Sequence, residues 1–317
     1  MSTSPQDAPD PGEFLAEGAD LAPATFVAFI EGPAASSAGP VFFSDIVNNR
    51  IMRFDPQSGG HTVFREPSGR ANGLLFDAQE RLLACEGNEF GPNDGNRRIT
   101  RTNIETGDVE VLTDSFEGQP YNAPNDIAAC SNGVLFFTDP CYGDRSTMFL
   151  DHDSVYRINL DGSVDCVITQ PEIQRPNGVA VSPDEKTLYL VDSCPTVGGN
   201  RKIWAFDLSE TGELSNQRMV FDFAPGRGGD GMALDQNGML YIAAGIRRPR
   251  GPHETTDVET GIYIMTPTGE LRGRIPIPED VLTNLTFGDA DLRTLYIAAG
   301  KTLFQIRVET PGFVVHR

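Results

Sequence analysis

The sequence predicts an all-β fold, a six-bladed β-propeller. Three observations predict it: one short motif is written six times, each copy offers three or four strand-length runs, and the period is that of a propeller blade. The motif is a polar residue, an apolar run, a turn and a second apolar run. Its copies open at Glu31 (EGPAASSAGPVFFSD), Asn72 (NGLLFDAQERLLACE), Asn125 (NDIAACSNGVLFFTD), Asn177 (NGVAVSPDEKTLYLVD), Asp230 (DGMALDQNGMLYIAA) and Asn284 (NLTFGDADLRTLYIAA). Successive openers stand 41, 53, 52, 53 and 54 residues apart. Short strands at even spacing, parted by Gly, Pro, Asn and Asp, argue for an all-β repeat. Four strands per unit at this period argue for a blade, and six units for six blades.

Residues 1–20 are Pro-rich and acidic and read as a flexible lead-in. Residues 21–317 read as a single propeller domain. The run Thr25–Ile30 precedes the first opener and is claimed by no blade. The sixth copy lacks an evident fourth strand, so Thr25–Ile30 is expected to complete it and tie the ring shut. Third strands follow in each copy, among them Arg50–Phe54, Ser154–Ile158, Lys202–Phe206 and Gly261–Met265, and turn signals such as ETGD, LDGS and PTGE follow most of these. Insertions after the second strands (87–96, 140–153, 193–200 and 247–259) are expected to gather on one face, where a rigid scaffold usually builds its site. Gln119–Pro124 and Gly226–Gly229 run directly into openers and are expected to wall the same mouth.

Lys and Arg number 25 against 45 Asp and Glu, a formal charge of −20. That balance repels nucleic acid and anionic membranes, so neither is an expected partner. The five cysteines include no C-x-x-C pair, and no run of about 18 apolar residues or basic, apolar leader occurs. Free thiols in a reducing, cytoplasmic compartment are the plainer expectation.

The innermost strand of a blade runs along the central channel. Openers of equal phase therefore fall at equal height, and Glu31, Asn72, Asn125, Asn177, Asp230 and Asn284 form a ring. Two are carboxylates and four are amides; all offer oxygen. Hard oxygen donors suit Ca²⁺ or Mg²⁺ better than softer metals. Glu31 and Asp230 supply charge, while Asn125 and Asn177 follow Pro and sit on extended backbone. These four are the expected ligands. Asn-Gly is first a turn signal, and Asn132-Gly133 and Asn237-Gly238 fit that reading. Asn72-Gly73 and Asn177-Gly178 share the opener phase instead. Asn72, Asn122, Tyr142 and Asn284 are expected to face substrate. Asp45, Asp139 and Asp192 end second strands and are expected to bond loop amides. Arg227 and the cluster at Arg247, Arg248 and Arg250 are candidates to greet an anionic substrate, with solvated loops the more common explanation, and the four histidines read as surface or loop residues. No H-E-x-x-H or G-x-S-x-G motif occurs.

Four stretches carry a resemblance: EGP from Glu31, NAPND from Asn122, RPNGVAVSPDEKTLYLVD from Arg175 and GDGMALDQNG from Gly229. With them the chain resembles the senescence-marker/gluconolactonase/luciferin-regenerating family, which includes the squid-type phosphofluoridase. The resemblance runs from about Phe26 to near the end. It implies a six-bladed propeller holding one catalytic divalent cation, usually calcium, with magnesium, zinc or manganese as substitutes. Carried over by position, its ligands fall on Glu31, Asn125, Asn177 and Asp230. Three positions depart from relatives: Ala123 replaces an Arg of the animal sugar lactonases, Tyr142-Gly143 replaces an acidic residue, and Ala298–Lys301 lacks the phosphofluoridase His.

The activity so implied is lactone hydrolysis. The cation polarises the carbonyl, and Asp230 serves as general base for water or as nucleophile. A phosphotriester is the alternative substrate for the same chemistry. A binding propeller with a structural ion, and a metal-free relative resembling strictosidine synthase, are the rival readings.

Overall fold

Strands buried on both faces must be apolar throughout, and strands at the rim need not be. The six copies obey that gradient. A computed structural model describes residues 28–89, 93–249 and 254–316 and arranges them as six antiparallel sheets around a channel. The chain enters each blade at its innermost strand. These strands are Ile30–Ala35, Ala71–Phe76, Ile127–Ala129, Pro176–Val181, Gly229–Leu234 and Leu282–Gly288. Blade 1 shows the gradient: Ile30–Ala35 and Val41–Asp45 are wholly buried, while its outermost strand Gly60–Arg65 is mostly exposed. The cores lie between blades, as in the cluster that joins Val155 and Phe136 of blade 3 to Val179 and Leu190 of blade 4. No helix among the described residues is long and apolar enough to cross a membrane.

Blades 1 to 5 have four strands and blade 6 has three, Leu282–Gly288, Thr294–Ala299 and Thr302–Arg307. The expected closing strand is corrected in part. Residues 25–27 lie outside the described residues, Ala28 and Phe29 are not strand, and Ile30 opens the inner strand of blade 1. Described contacts nevertheless close the ring. Ile30 N donates to Gly300 O at 2.9 Å, Thr283 Oγ1 donates to Ile30 O at 3.0 Å, and Ile30, Phe43 and Met52 pack on Ala298. After blade 6 the chain passes beneath the channel. Phe313 N donates to Leu234 O at 2.9 Å, and Phe313, Val314 and Val315 line a small cavity of about 100 Å³ at the lower end. His316 lies in a loop, with its ring buried against Phe76 and 3.5 Å from Glu80.

The openers occupy an irregularity that repeats. Pairing between first and second strands skips between Glu31 and Ala34, Ala71 and Leu74, Pro176 and Val179, Gly229 and Met232, and Leu282 and Asn284. Such a bulge bends the strand and re-aims the side chain it holds. In four blades the residue after the opener is Gly, and it touches the next blade. A Cβ on Gly178 would run into the carbonyl oxygen of Asp230. Gly32 and Gly73 meet the carbonyls of Asn72 and Asn125 in the same way, and Gly231 meets the side-chain amide of Asn284. The dipeptides that look like turn signals are therefore points where neighbouring inner strands touch. Gly178→Ala forces the rigid inner strands of blades 4 and 5 apart and is expected to destabilise by about 1–3 kcal/mol or more. Gly273→Ala places its Cβ in open space and should change stability by less than about 0.5 kcal/mol. Chemical denaturation of both variants checks this; equal midpoints would refute it.

Candidate active site

Five of the six openers meet in one cavity. Glu31, Asn72, Asn125, Asn177 and Asp230 line a space of about 260 Å³ at the upper end of the channel, together with Glu89, Tyr142, Ser193, Pro195, Arg201, Arg227 and Glu254. Tyr142, Ser193 and Pro195 come from the insertions of blades 3 and 4, and Glu89 from that of blade 2. Insertions and openers thus share a face.

Each opener is held by its surroundings. Glu31 Oε2 accepts from the N–H of Gly32 at 2.7 Å. Asn177 Nδ2 donates to the Tyr142 hydroxyl at 3.1 Å, and that hydroxyl donates to Ser193 O at 3.2 Å. With its nitrogen committed to Tyr142, the Asn177 amide keeps its oxygen as the arm for a ligand. Asn125 is reached through a loop whose backbone N–H groups at Asn122 and Ala123 donate to Asp139, at 2.8 and 2.6 Å. Asp192 likewise accepts from the N–H of Arg175 at 2.8 Å, ahead of Asn177. Asp45 accepts from the N–H of Phe29 at 3.2 Å, ahead of Glu31. Carboxylates at the ends of second strands thus hold the approach loops, as their position suggested. Glu86 fills that position in blade 2 and bonds Arg65, Asn96, Arg98 and Thr100.

For Arg227 the solvated-loop reading is corrected. It stands in the cavity wall, half-buried, with Nη2 2.6 Å from Asp230 Oδ2 and Nη1 3.2 Å from Leu282 O. Arg250 and His253 lie outside the described residues. Asn122, expected to face substrate, is also corrected. It is fully buried away from the cavity, its Nδ2 donates to Leu150 O and His152 O at 3.0 Å each, and its Oδ1 accepts from Phe149 N and Leu150 N. Both arms are spent on the 149–152 loop. Asn284, the sixth opener, lines the lower cavity with Asp126 instead of the upper one.

The electrostatics follow from crowding carboxylates in a buried space. Burial, then the charges of Asp230 and Asp126, raise Glu31 well above the usual carboxylate range. Burial and the Asp230 charge push Glu89 up to about 7, opposed by the N–H of Tyr142 and the charge of Arg175. Burial raises Asp126 to about 7 against the N–H groups of Ile127 and Val179. Glu89, Asp126, Arg201 and Glu254 were not singled out from the sequence. Asp126 had a signal: it takes the place that Gly holds after four other openers. Glu89 and Glu254 sit in insertions that have no periodicity to place them.

The donor set suits a hard cation. Glu31 and Asp230 are buried carboxylates, and the buried Oδ1 of Asn72 has no hydrogen-bond partner. The carboxylates alone are too few: among the described residues no three His, Cys, Asp or Glu side chains form a metal-binding cluster. Any cation here leans on the amide oxygens.

Comparison with known proteins agrees with the fold. The family model described as SMP-30/Gluconolactonase/LRE-like region matches residues 29–301. A gluconolactonase of Zymomonas mobilis is 30% identical over 91% of this chain and 81% of its own length. A 6-deoxy-6-sulfogluconolactonase of Pseudomonas putida is 27% identical over 86% of this chain and 88% of its own. The solved structure of a gluconolactonase from Xanthomonas campestris superposes with a TM-score of 0.71 at 29% identity, covering 90% of this chain and 87% of that one. The structure of regucalcin from Agrobacterium tumefaciens, described as a calcium-binding protein, superposes at 0.72 with 19% identity, covering 92% of this chain and 93% of that one, and speaks for the fold alone. On the match to more than four-fifths of its length, the chain belongs to the SMP-30/gluconolactonase/LRE-like family.

Proposed function

We propose that this chain hydrolyses a lactone in the upper cavity with the help of a divalent cation, calcium first. One observation carries the reading: two buried carboxylates, Glu31 and Asp230, line a single cavity with three amides whose oxygens suit the same hard ion. Arg227 answers part of the charge of Asp230, and the buried Glu31 beside it still calls for a counter-charge or a proton. Relatives named as gluconolactonases support the substrate class.

Glu31, Asn125, Asn177 and Asp230 would hold the cation, with Asn72 beside them. When bound, the cation supplies Lewis acidity toward the lactone carbonyl and a lowered pKa for water. Asp230 takes the proton of water as the water adds to the carbonyl carbon. Arg227, bonded to Asp230 Oδ2 and to backbone on both sides, fixes the orientation of that carboxylate. Tyr142 and Asn72 contact the ring hydroxyls. All five cysteines are unpaired and four are buried, which supports a reducing, cytoplasmic setting.

The test is a panel of aldonolactones and one phosphotriester, assayed with calcium and with chelator. Calcium-dependent opening of a lactone, lost in chelator and restored by calcium, is expected. Undiminished turnover in chelator, with no metal by mass spectrometry, would remove the cation. Turnover of the phosphotriester alone would change the substrate.

A further inference from the structure

Five arginines of the described chain are more than nine-tenths buried: Arg70, Arg97, Arg157, Arg175 and Arg201. Burying a guanidinium is costly unless its charge is answered. Arg70 meets Asp94 at 2.8 Å, and Arg157 meets Asp165 at 2.7 Å and Glu213 at 2.6 Å. Arg175 stands 3.6 Å from Asp153 and 5.4 Å from the centre of the Tyr142 ring. Arg97 donates to Asn93 Oδ1 at 2.8 Å, to the carbonyls of Tyr121 and Thr147, and lies over Phe149. Arg97, like Arg201, has no ion pair among the described residues, but Arg201 is answered least. Among the described residues its one side-chain hydrogen bond is to the carbonyl of its own neighbour, Asn200, at 3.1 Å.

Its position gives the reason. Arg201 opens the third strand of blade 4, pairs in register with Ser193, and both line the upper cavity. Arg227 is near enough for the two positive charges to oppose, and Arg227 is already committed to Asp230. Glu254 attracts Arg201 from a distance without pairing with it. The wall from blade 4 to blade 5 thus presents a buried cation, without an ion pair among the described residues, to the space the substrate enters.

We infer that Arg201 is a specificity-determining residue that receives an oxyanion carried by the lactone at a carbon remote from the ring carbonyl. This rests on the lactonase reading and narrows it from lactones at large to anionic ones. Arginine suits the role because its planar fork matches carboxylate and phosphate alike.

The test compares lactones that differ only at carbon 6: D-glucono-1,4-lactone against D-glucaro-1,4-lactone for a carboxylate, and D-glucono-1,5-lactone against its 6-phosphate for a phosphate. In calcium, kcat/KM is expected to favour an anionic member by about 10- to 100-fold, the size of a charge-assisted hydrogen bond. The pair that shows the preference identifies the oxyanion. Arg201→Gln should erase most of that ratio, Arg201→Lys should keep part of it, and added salt should raise KM for the anionic member more than for the neutral one. Equal kcat/KM within both pairs for the wild-type chain overturns the inference and leaves the lactonase reading standing. So does an Arg201→Gln variant that lowers both members of a pair alike, since that is the mark of a structural role. If Arg201→Gln does not fold, Arg201→Lys and the salt dependence decide. Hydrolysis of no member at all sinks the lactonase reading, and the inference with it.

Discussion

Asp230→Asn is expected to cut lactone turnover by about 10²–10⁴-fold, the range a lost general base costs, while the chain still folds. Two opposing effects keep stability near its wild-type level. The change removes the 2.6 Å ion pair with Arg227, whose guanidinium retains Leu282 O and Gly245 O as acceptors. It also removes the charge that raises Glu31, Glu89 and Asp126. The measurement is steady-state kinetics beside a thermal melt. Turnover within a factor of about three of wild type would exclude Asp230 from the chemistry. Loss of the folded transition would make the kinetics uninformative, and Arg227→Met then serves: it keeps the carboxylate but frees its orientation, and should lower kcat more than it raises KM. Base and nucleophile are told apart by a single turnover in heavy-oxygen water. Label enters the product directly if Asp230 is a base; if it is a nucleophile and water opens the acyl intermediate at the Asp230 carbonyl carbon, label enters the Asp230 side chain and the product carries away an unlabelled Asp230 oxygen.

The repeat was legible because blade geometry forces it. An inner strand sandwiched between neighbours must be apolar, its turns need Gly, Asn or Asp, and its mouth-end residue keeps one phase. That phase brought five openers to one cavity without knowledge of any contact. It misled at Asn284 because the ring is not level: the sixth opener turns toward Asp126 below. It misled at Asn122 because an amide in a loop before a strand looks the same whether it faces a ligand or, as here, ties down the 149–152 loop. Arg201 was invisible for a different reason. It opens a third strand, where one arginine reads like the rim arginines of other blades, such as Arg98, which pairs with Glu86. Only the partners around it mark it as unlike them.

The second large effect is on stability and turns on protons. In chelator, the folded chain holds protons on buried carboxylates that the unfolded chain releases. Glu89 moves from 4.5 to about 7, Asp126 and Asp139 from 3.8 to about 7, and Glu31 moves in the same direction. The folded state therefore binds more protons across this window, and stability falls as pH rises from about 4 toward 7, by up to about 1.4 kcal/mol per pH unit for each carboxylate that stays protonated. The fall continues through pH 7 and flattens only about a unit above it for Glu89, Asp126 and Asp139. The formal charge of −20 acts in the same sense. Carboxylates held low, such as Asp291 at about 2, matter only in more acidic solution. Calcium reverses the slope at Glu31, because a cation needs that carboxylate ionised and displaces its proton. At 100 times its dissociation constant it adds about 2.7 kcal/mol. The thermal midpoint in chelator should thus drop between pH 5 and pH 7.5, and the gap between calcium and chelator should widen over the same span. Glu31→Gln removes one buried charge and one cation ligand, so it should melt higher than wild type in chelator at pH 8 and gain little from calcium. A midpoint in chelator that climbs from pH 5 to 7.5, or an undiminished calcium gain in Glu31→Gln, would show that these carboxylates do not share the ion.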